Sequence, residues 1–190
     1  MVHNNSFYCE GSAEAINIAP LTAGNSLAFM VGRISYTFGL QGPCVSTDTA
    51  CSSSLVAAHL AYRGLLDGET TGAVAGGSNL MLSPVTTVAI CQLQALSPLG
   101  RCQSFDAAAD GYGRGEGFAV LALVRSATPG TPRIAVVRGS AVNQDGQSSS
   151  LTAPNGPSQT KLVVAALRAG TLAATDLRFV AVHGTGELRW

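Results

Sequence analysis

The stretch that most constrains this chain is residues 42–66, GPCVSTDTACSSSLVAAHLAYRGLL. β-Branched side chains at alternate positions favour a short strand over residues 45–49. After Cys51, apolar residues recur at steps of three and four, which predicts a helix. Gly68 stands where such a helix should end. The stretch therefore predicts a strand, a sharp turn at Cys51 and a helix.

A cysteine at the first turn of a helix is well placed to act as a nucleophile. Unpaired backbone N–H groups and the positive end of the helix dipole stabilise a thiolate, which is the nucleophilic form. The small neighbours of Cys51, Ala50 and residues 52–54, leave space for a substrate. Two alternatives are a buried, inert thiol and a cysteine hydrolase, whose nucleophile elbow needs two glycines that residues 49–53 lack.

Composition limits the size of the domain and the classes of partner. A chain of 190 residues is long enough for one domain with its own core. Charged residues make up 12% of it, about half the usual share of ~25%, so it either buries surface against another subunit or forms part of a larger domain. Eleven basic residues balance eleven acidic ones, so nothing favours nucleic acid or an anionic membrane as a partner.

The sequence predicts a cytoplasmic protein without a metal site or a disulfide framework. No apolar run approaches membrane-spanning length, and the first residues lack the apolar core of a signal peptide. The five cysteines are odd in number and contain no C-x-x-C pair. The three histidines are too scattered for a metal cluster.

Alternating helix and strand patterns continue along the chain. Helices are predicted over residues 27–38, where we expect core packing, over 85–96, and from Pro157 onward. Strands are predicted over residues 73–77, 133–142 and 177–182. The last strand leads directly into His183. Candidate groups at strand ends favour an α/β layered fold whose site lies at the carboxyl edge of the sheet.

A glycine-rich run, residues 111–117, precedes another apolar stretch that should enter the core as a strand. Its glycines predict positive φ angles and close backbone packing, and it lacks the motifs of a phosphate-binding loop. Four charged side chains in and before the run are predicted to form a buried network of structural role: Asp106, Asp110, Arg114 and Glu116.

Several blocks together resemble one known family. Residues 48–55, DTACSSSL, are similar to the active-site signature of β-ketoacyl synthases, and more narrowly to ketosynthase domains of type I polyketide synthases. The segments 32–43, 76–84 and 96–121 resemble further blocks of that family in the same order, as do NQDG with LTAPN (residues 143–155) and HGTG (residues 183–186). The resemblance implies a thiolase-like layered fold (αβαβα).

The same resemblance implies a mechanism. Cys51 would take an acyl chain, as a thioester, from the phosphopantetheine arm of an acyl carrier protein. A malonyl-type extender would lose CO₂, and its carbanion would attack the acyl-Cys51. His183, as the first of two family histidines, and the Cys51 N–H would donate to the thioester oxygen, and Thr185 would bind the arm. No resident cofactor is implied; the implied partners are an acyl carrier protein and a second copy or other synthase domains.

The match to the family is partial. Residues 1–20 are interpreted as a divergent leader and residues 21–190 as a partial ketosynthase domain, incomplete at the N-terminal part and in the C-terminal half. The family's downstream lysine and second histidine are unmatched, and Glu187 and Ala181 depart from its pattern. Two hypotheses follow: part of a carbon–carbon bond-forming acyltransferase, or a truncated remnant that only self-acylates or associates with other ketosynthase subunits.

Overall fold

The structure, a computed structural model, describes residues 24, 26–125, 130, 132–150 and 153–186. The chain divides into two compact units, Met1–Thr86 with Glu116–Arg125 and Thr87–Gly115 with Ser126–Trp190. The leader predicted over residues 1–20 and the departure at Glu187 lie outside the described residues. The elements are α1 (Leu27–Phe38), α2 (Ser53–Leu66), β1 (Gly72–Asn79), α3 (Pro84–Gln92), β2 (Gly117–Val124), α4 (Gly156–Ala169) and a 3₁₀ turn (Ala174–Asp176).

The core of the first unit lies between α2 and a two-stranded sheet. Strands β1 and β2 pair antiparallel, in a register that runs from Gly72 opposite Val124 to Asn79 opposite Gly117. Helix α2 packs on this sheet, where Leu65 is only 5% exposed and Ala75 is buried. The helix predicted after Cys51, the strand predicted over residues 73–77 and the strand predicted after the glycine-rich run are therefore confirmed, and this packing stabilises α2.

Helix α1 is confirmed as a helix, but the prediction that it packs into a core is wrong. It ends at Gly39, whose φ of 64° is the left-handed conformation that glycine adopts at many helix ends. None of its residues is buried, and Tyr36 is 91% exposed. An apolar helical face is buried only when another element packs against it, and no other described helix or strand packs extensively on α1.

Three predicted strands are absent from the described part of the chain. Residues 45–48, 133–142 and 177–182 form no ladder, and only Thr49 takes part in an isolated bridge. A strand is stabilised by hydrogen bonds to a neighbouring strand, so a β-branched sequence alone does not form one.

The close backbone packing predicted for the glycine-rich run is confirmed, whereas a positive φ occurs at only one of its four glycines. Gly111 has a φ of 135°, and a Cβ at this position would lie 2.5 Å from the Ser97 backbone nitrogen. A Cβ on Gly113 would overlap the carbonyl oxygen of Gly100. Only glycine allows this approach of two backbones, which brings the run against residues 97–100 in the second unit.

The predicted buried charge network is wrong. Asp106 is exposed, and its Oδ1 accepts a hydrogen bond from the backbone nitrogen of Ala108 at 2.8 Å. Arg114 donates to the hydroxyl of Thr87, and Glu116 Oε1 accepts from the backbone nitrogen of Met81 at 2.5 Å. These three groups therefore bond to neutral partners and not to one another, and Oδ1 of the half-buried Asp110 has no hydrogen-bond partner among the described residues.

Helix α4 begins at an N-cap that joins it to the preceding loop. Asn155 Oδ1 accepts from the backbone nitrogen of Ser158 at 3.2 Å, and Pro157 occupies the first turn. The same side chain donates through Nδ2 to the carbonyl oxygen of Asp145 at 3.0 Å. The cap therefore fixes both the start of the helix and the loop that leads into it.

Replacing Asn155 with alanine is expected to lower the free energy of unfolding by about 1 kcal/mol, because an N–H of the first turn loses its acceptor. Chemical denaturation with circular dichroism measures this change. Asn155→Ser retains a capping oxygen and should keep most of the stability. Equal stability of the alanine variant and the wild type would contradict this role of the cap.

Candidate active site

Cys51 lies in a sharp turn directly before α2, and its side chain is exposed. The preceding residue, Ala50, has a φ of 56°, a left-handed conformation that residues other than glycine seldom adopt. The Cys51 backbone N–H has no hydrogen-bond acceptor among the described residues. The alternative of a buried thiol is therefore wrong, and both the thiol and the adjacent N–H can meet a substrate.

Ser53 bridges the turn from the inside. Its side chain is 3% exposed; Oγ donates to the Ala50 carbonyl oxygen at 2.6 Å and accepts from the Thr49 backbone nitrogen at 2.9 Å. Asp48 Oδ1 accepts from the Ala50 backbone nitrogen at 3.1 Å. These bonds satisfy the polar backbone groups of the turn and hold Ala50 in its unusual conformation.

Replacing Ser53 with alanine is expected to lower the free energy of unfolding by about 1–3 kcal/mol. The reason is that the Thr49 N–H and the Ala50 carbonyl oxygen both lose their hydrogen bond to the buried Ser53 hydroxyl. The turn would relax, so thiol reactivity of Cys51 toward an alkylating reagent should change as well. Ser54→Ala is the matched control, since Ser54 is an exposed serine one position further along. A Ser53→Ala variant that matches this control in both measurements would contradict the bridging role.

The second unit contains an open cavity of about 620 Å³. The predicted residues His183 and Thr185 both line it, so the structure brings these two together. The His183 side chain is exposed and Thr185 is half-buried. The other lining residues are Phe105, Asp106, Ala107, Ala109, Gln159, Val182, Gly184 and Gly186.

Two glycines give the segment of His183 and Thr185 its shape. Gly184 and Gly186 have φ angles of 57° and 73°, which other residues reach only at a cost. The carbonyl oxygen of Gly184 accepts from the Ser104 hydroxyl, and that of Gly186 accepts from the Gly111 backbone nitrogen at 3.1 Å. The loop of residues 104–111 therefore holds the segment through the carbonyl oxygens of both glycines.

The sequence did not predict the other residues of this cavity as site residues; three of them have aromatic or polar side chains, namely Phe105, Asp106 and Gln159. Phe105 has a φ of 65° and is 91% exposed, an unusual combination for a bulky residue and one associated with functional sites. Gln159 lies in the first turn of α4. The helix-start signal at Pro157 locates Gln159 on a helix, but no sequence signal places it beside His183.

The predicted site residues are divided between the two units. Cys51 belongs to the first unit, whereas His183 and Thr185 belong to the second.

Among the described residues, no group of histidine, cysteine and acidic side chains could hold a metal ion. In the same part of the chain, none of the helices combines the length and the apolar character that a membrane crossing requires.

Two family models match the sequence of this chain. Residues 4–129 match the family model of the β-ketoacyl synthase N-terminal domain, and residues 134–188 match that of the β-ketoacyl synthase C-terminal domain. The chain belongs to the β-ketoacyl synthase family. The division of this β-ketoacyl synthase chain into a leader and one partial domain stays a prediction.

Curated relatives of this β-ketoacyl synthase chain are polyketide synthase proteins. It is 52% identical over 171 residues to a phenolphthiocerol/phthiocerol polyketide synthase protein of Mycobacterium tuberculosis, covering 88% of this chain and 8% of that protein. It is also 52% identical over 169 residues to the spectinabilin polyketide synthase system protein NorA' of Streptomyces orinoci, covering 87% of this chain and 5% of that protein. The chain thus spans a small part of the relatives that it matches.

Solved ketosynthase structures resemble the β-ketoacyl synthase chain in fold. An oxazolomycin ketosynthase domain from Streptomyces albus has a TM-score of 0.82 at 40% identity, over 85% of this chain and 30% of that one. The ketosynthase of module 6 of the bacillaene synthase from Bacillus subtilis has a TM-score of 0.78 at 36% identity, over 86% and 30%. The predicted thiolase-like fold class, present here as part of the domain, is confirmed.

Proposed function

We propose that this chain carries part of the active centre of a carbon–carbon bond-forming acyltransferase of polyketide assembly. The observation that carries the proposal is Cys51, exposed on a strained turn at the start of α2 with its own N–H unpartnered among the described residues. A thiol at this place combines a nucleophile with a hydrogen-bond donor for the oxygen that becomes negative.

The first step is transfer of an acyl group to Cys51. The thiolate attacks the carbonyl carbon of an acyl thioester, the new carbon–sulfur bond forms, and the sulfur of the donor leaves as a thiolate. Sulfur suits this exchange because a thioester can pass reversibly from one thiol to another, as other thiol exchanges do. The Cys51 N–H stabilises the negative oxygen of the tetrahedral intermediate.

The second step is a decarboxylative Claisen condensation. A malonyl-type thioester loses CO₂, and the electron pair left behind makes an enolate carbanion. The carbanion attacks the carbonyl carbon of acyl-Cys51, so that a carbon–carbon bond forms, the carbon–sulfur bond breaks and the Cys51 thiolate is regenerated. We assign His183 as the donor to the thioester oxygen during this step.

The substrates are assigned to the phosphopantetheine arm of an acyl carrier protein, and Thr185 is assigned to bind that arm. The shared cavity of Thr185 and His183 supports this, because one elongated ligand could contact both. A second copy of the chain or other synthase domains are the proposed protein partners, supported by the exposed apolar side chains of α1. We place the reaction in the cytoplasm.

Intact-mass analysis after incubation with an acyl thioester tests the proposal. The protein should gain the mass of one acyl group, because Cys51 alone among the described cysteines combines exposure with the geometry given above. Subsequent addition of a malonyl thioester should remove that mass again as the condensed product forms. A folded chain that never gains the acyl mass would overturn the proposed function.

A further inference from the structure

We propose that Gln159 is a substrate-binding residue, which uses its side-chain carboxamide to hold an amide group of the arm that carries the thioester. The inference rests on the proposed function for the identity of the arm. It adds a contact that lies on α4, outside the Cys51 turn and outside the HGTG segment.

Gln159 shares its cavity with the predicted site residues His183 and Thr185. Its side chain is exposed and makes no hydrogen bond with any described residue. A carboxamide offers two N–H donors and one carbonyl acceptor, so it can donate to the oxygen of one secondary amide of the arm and accept from the N–H of the next; a single trans amide presents these two groups on opposite sides. A carboxylate or phosphate only accepts hydrogen bonds, so it would leave the carbonyl oxygen of this side chain without a donor.

The rest of the cavity favours a neutral, elongated ligand. Phe105, Ala109 and Val182 provide apolar walls for methylene groups. Asp106 is the charged residue of the lining; none of the described lining residues is a lysine or an arginine. A phosphate would be repelled by the Asp106 carboxylate, so the amide-bearing part of the arm fits this cavity better than its phosphate end.

The first turn of α4, on which Gln159 lies, is held by the loop before the helix. Asn143 Nδ2 donates to the Ser158 carbonyl oxygen at 2.8 Å, and the Ser158 hydroxyl donates to the Gln144 carbonyl oxygen at 3.0 Å. Asp145 Oδ2 accepts from the Asn155 backbone nitrogen at 3.1 Å. These bonds fix the first turn of the helix before a ligand arrives, which reduces the ordering that binding would otherwise require.

The test is a titration by ligand-observed NMR with S-methylpantetheine, a neutral probe that contains the amides of the arm and has no free thiol. Gln159→Leu is expected to weaken binding about five- to tenfold, the effect of one lost hydrogen bond. Thr160→Val is the matched control, because Thr160 lies in the same turn, is exposed and is not among the cavity residues. This control should bind as the wild type does.

A second probe, with both amide nitrogens methylated, isolates the amide contact. Wild-type protein should bind it more weakly than S-methylpantetheine, while Gln159→Leu should bind the two probes alike. Gln159→Glu keeps the side-chain length and suits the first turn of a helix, but it cannot donate. Gln159→Glu should therefore also bind S-methylpantetheine more weakly than the wild type does. It replaces the leucine variant in the titration if that variant does not fold.

Equal binding by wild type and Gln159→Leu, or no binding by either, would overturn the inference. Acylation of Cys51, measured separately by mass, distinguishes failure of the Gln159 inference from failure of the proposed function. Acylation without any effect of Gln159 overturns the inference alone. Binding that depends on Gln159, with no acylation of Cys51, overturns the proposed function alone.

Discussion

Cys51→Ala is expected to abolish covalent uptake of an acyl group from a thioester. The methyl side chain keeps the size of the small residues at this turn but has no nucleophile. Intact-mass analysis should show a single acyl adduct on the wild type and none on the variant. Peptide mapping of the wild-type adduct should locate it between Ala50 and Ser54.

Three other cysteines in the described part of the chain serve as controls for this result, since each is free and exposed and could react nonspecifically. They are Cys44, Cys91 and Cys102. Alanine at any of them should leave the adduct unchanged, because none of them lies one or two positions before a helix of the described chain, as Cys51 does before α2. An adduct that persists in Cys51→Ala and disappears with one of these variants would contradict the assignment of the nucleophile.

His183→Ala is expected to lower the rate of condensation about 10²–10³-fold, the effect of removing one donor to a developing oxyanion. Transfer of the acyl group to Cys51 should fall less, because the Cys51 N–H still stabilises the oxyanion in that step. Product formation from acyl and malonyl thioesters measures the first rate, and the mass of the acyl adduct measures the second.

His59→Ala is the control for this prediction, since it removes an imidazole from α2 that is not among the cavity residues. It should leave both rates close to those of the wild type, because His59 is not among the residues assigned to the reaction. The donor role of His183 would be contradicted if its alanine variant condensed substrates as fast as His59→Ala does.

The sequence alone determined the features that depend on neighbours along the chain. The helical period after Cys51 predicted α2, because side chains three and four positions apart share one face of a helix. The contiguous DTACSSSL and HGTG blocks identified the family, and the glycines at 111 and 113 predicted where two backbones meet. Each of these signals lies within a few residues, so no distant contact was needed to recognise it.

Only the tertiary structure decided the features that depend on residues far apart in the sequence. Residues 177–182 look like a strand but form none, because a ladder needs a partner that the local sequence does not contain. The Ser104 hydroxyl reaches the Gly184 carbonyl across 80 positions, and Gln159 lines the cavity of His183 from α4. Such neighbours are set by the path of the whole backbone and by which elements pack together, so a local pattern cannot specify them.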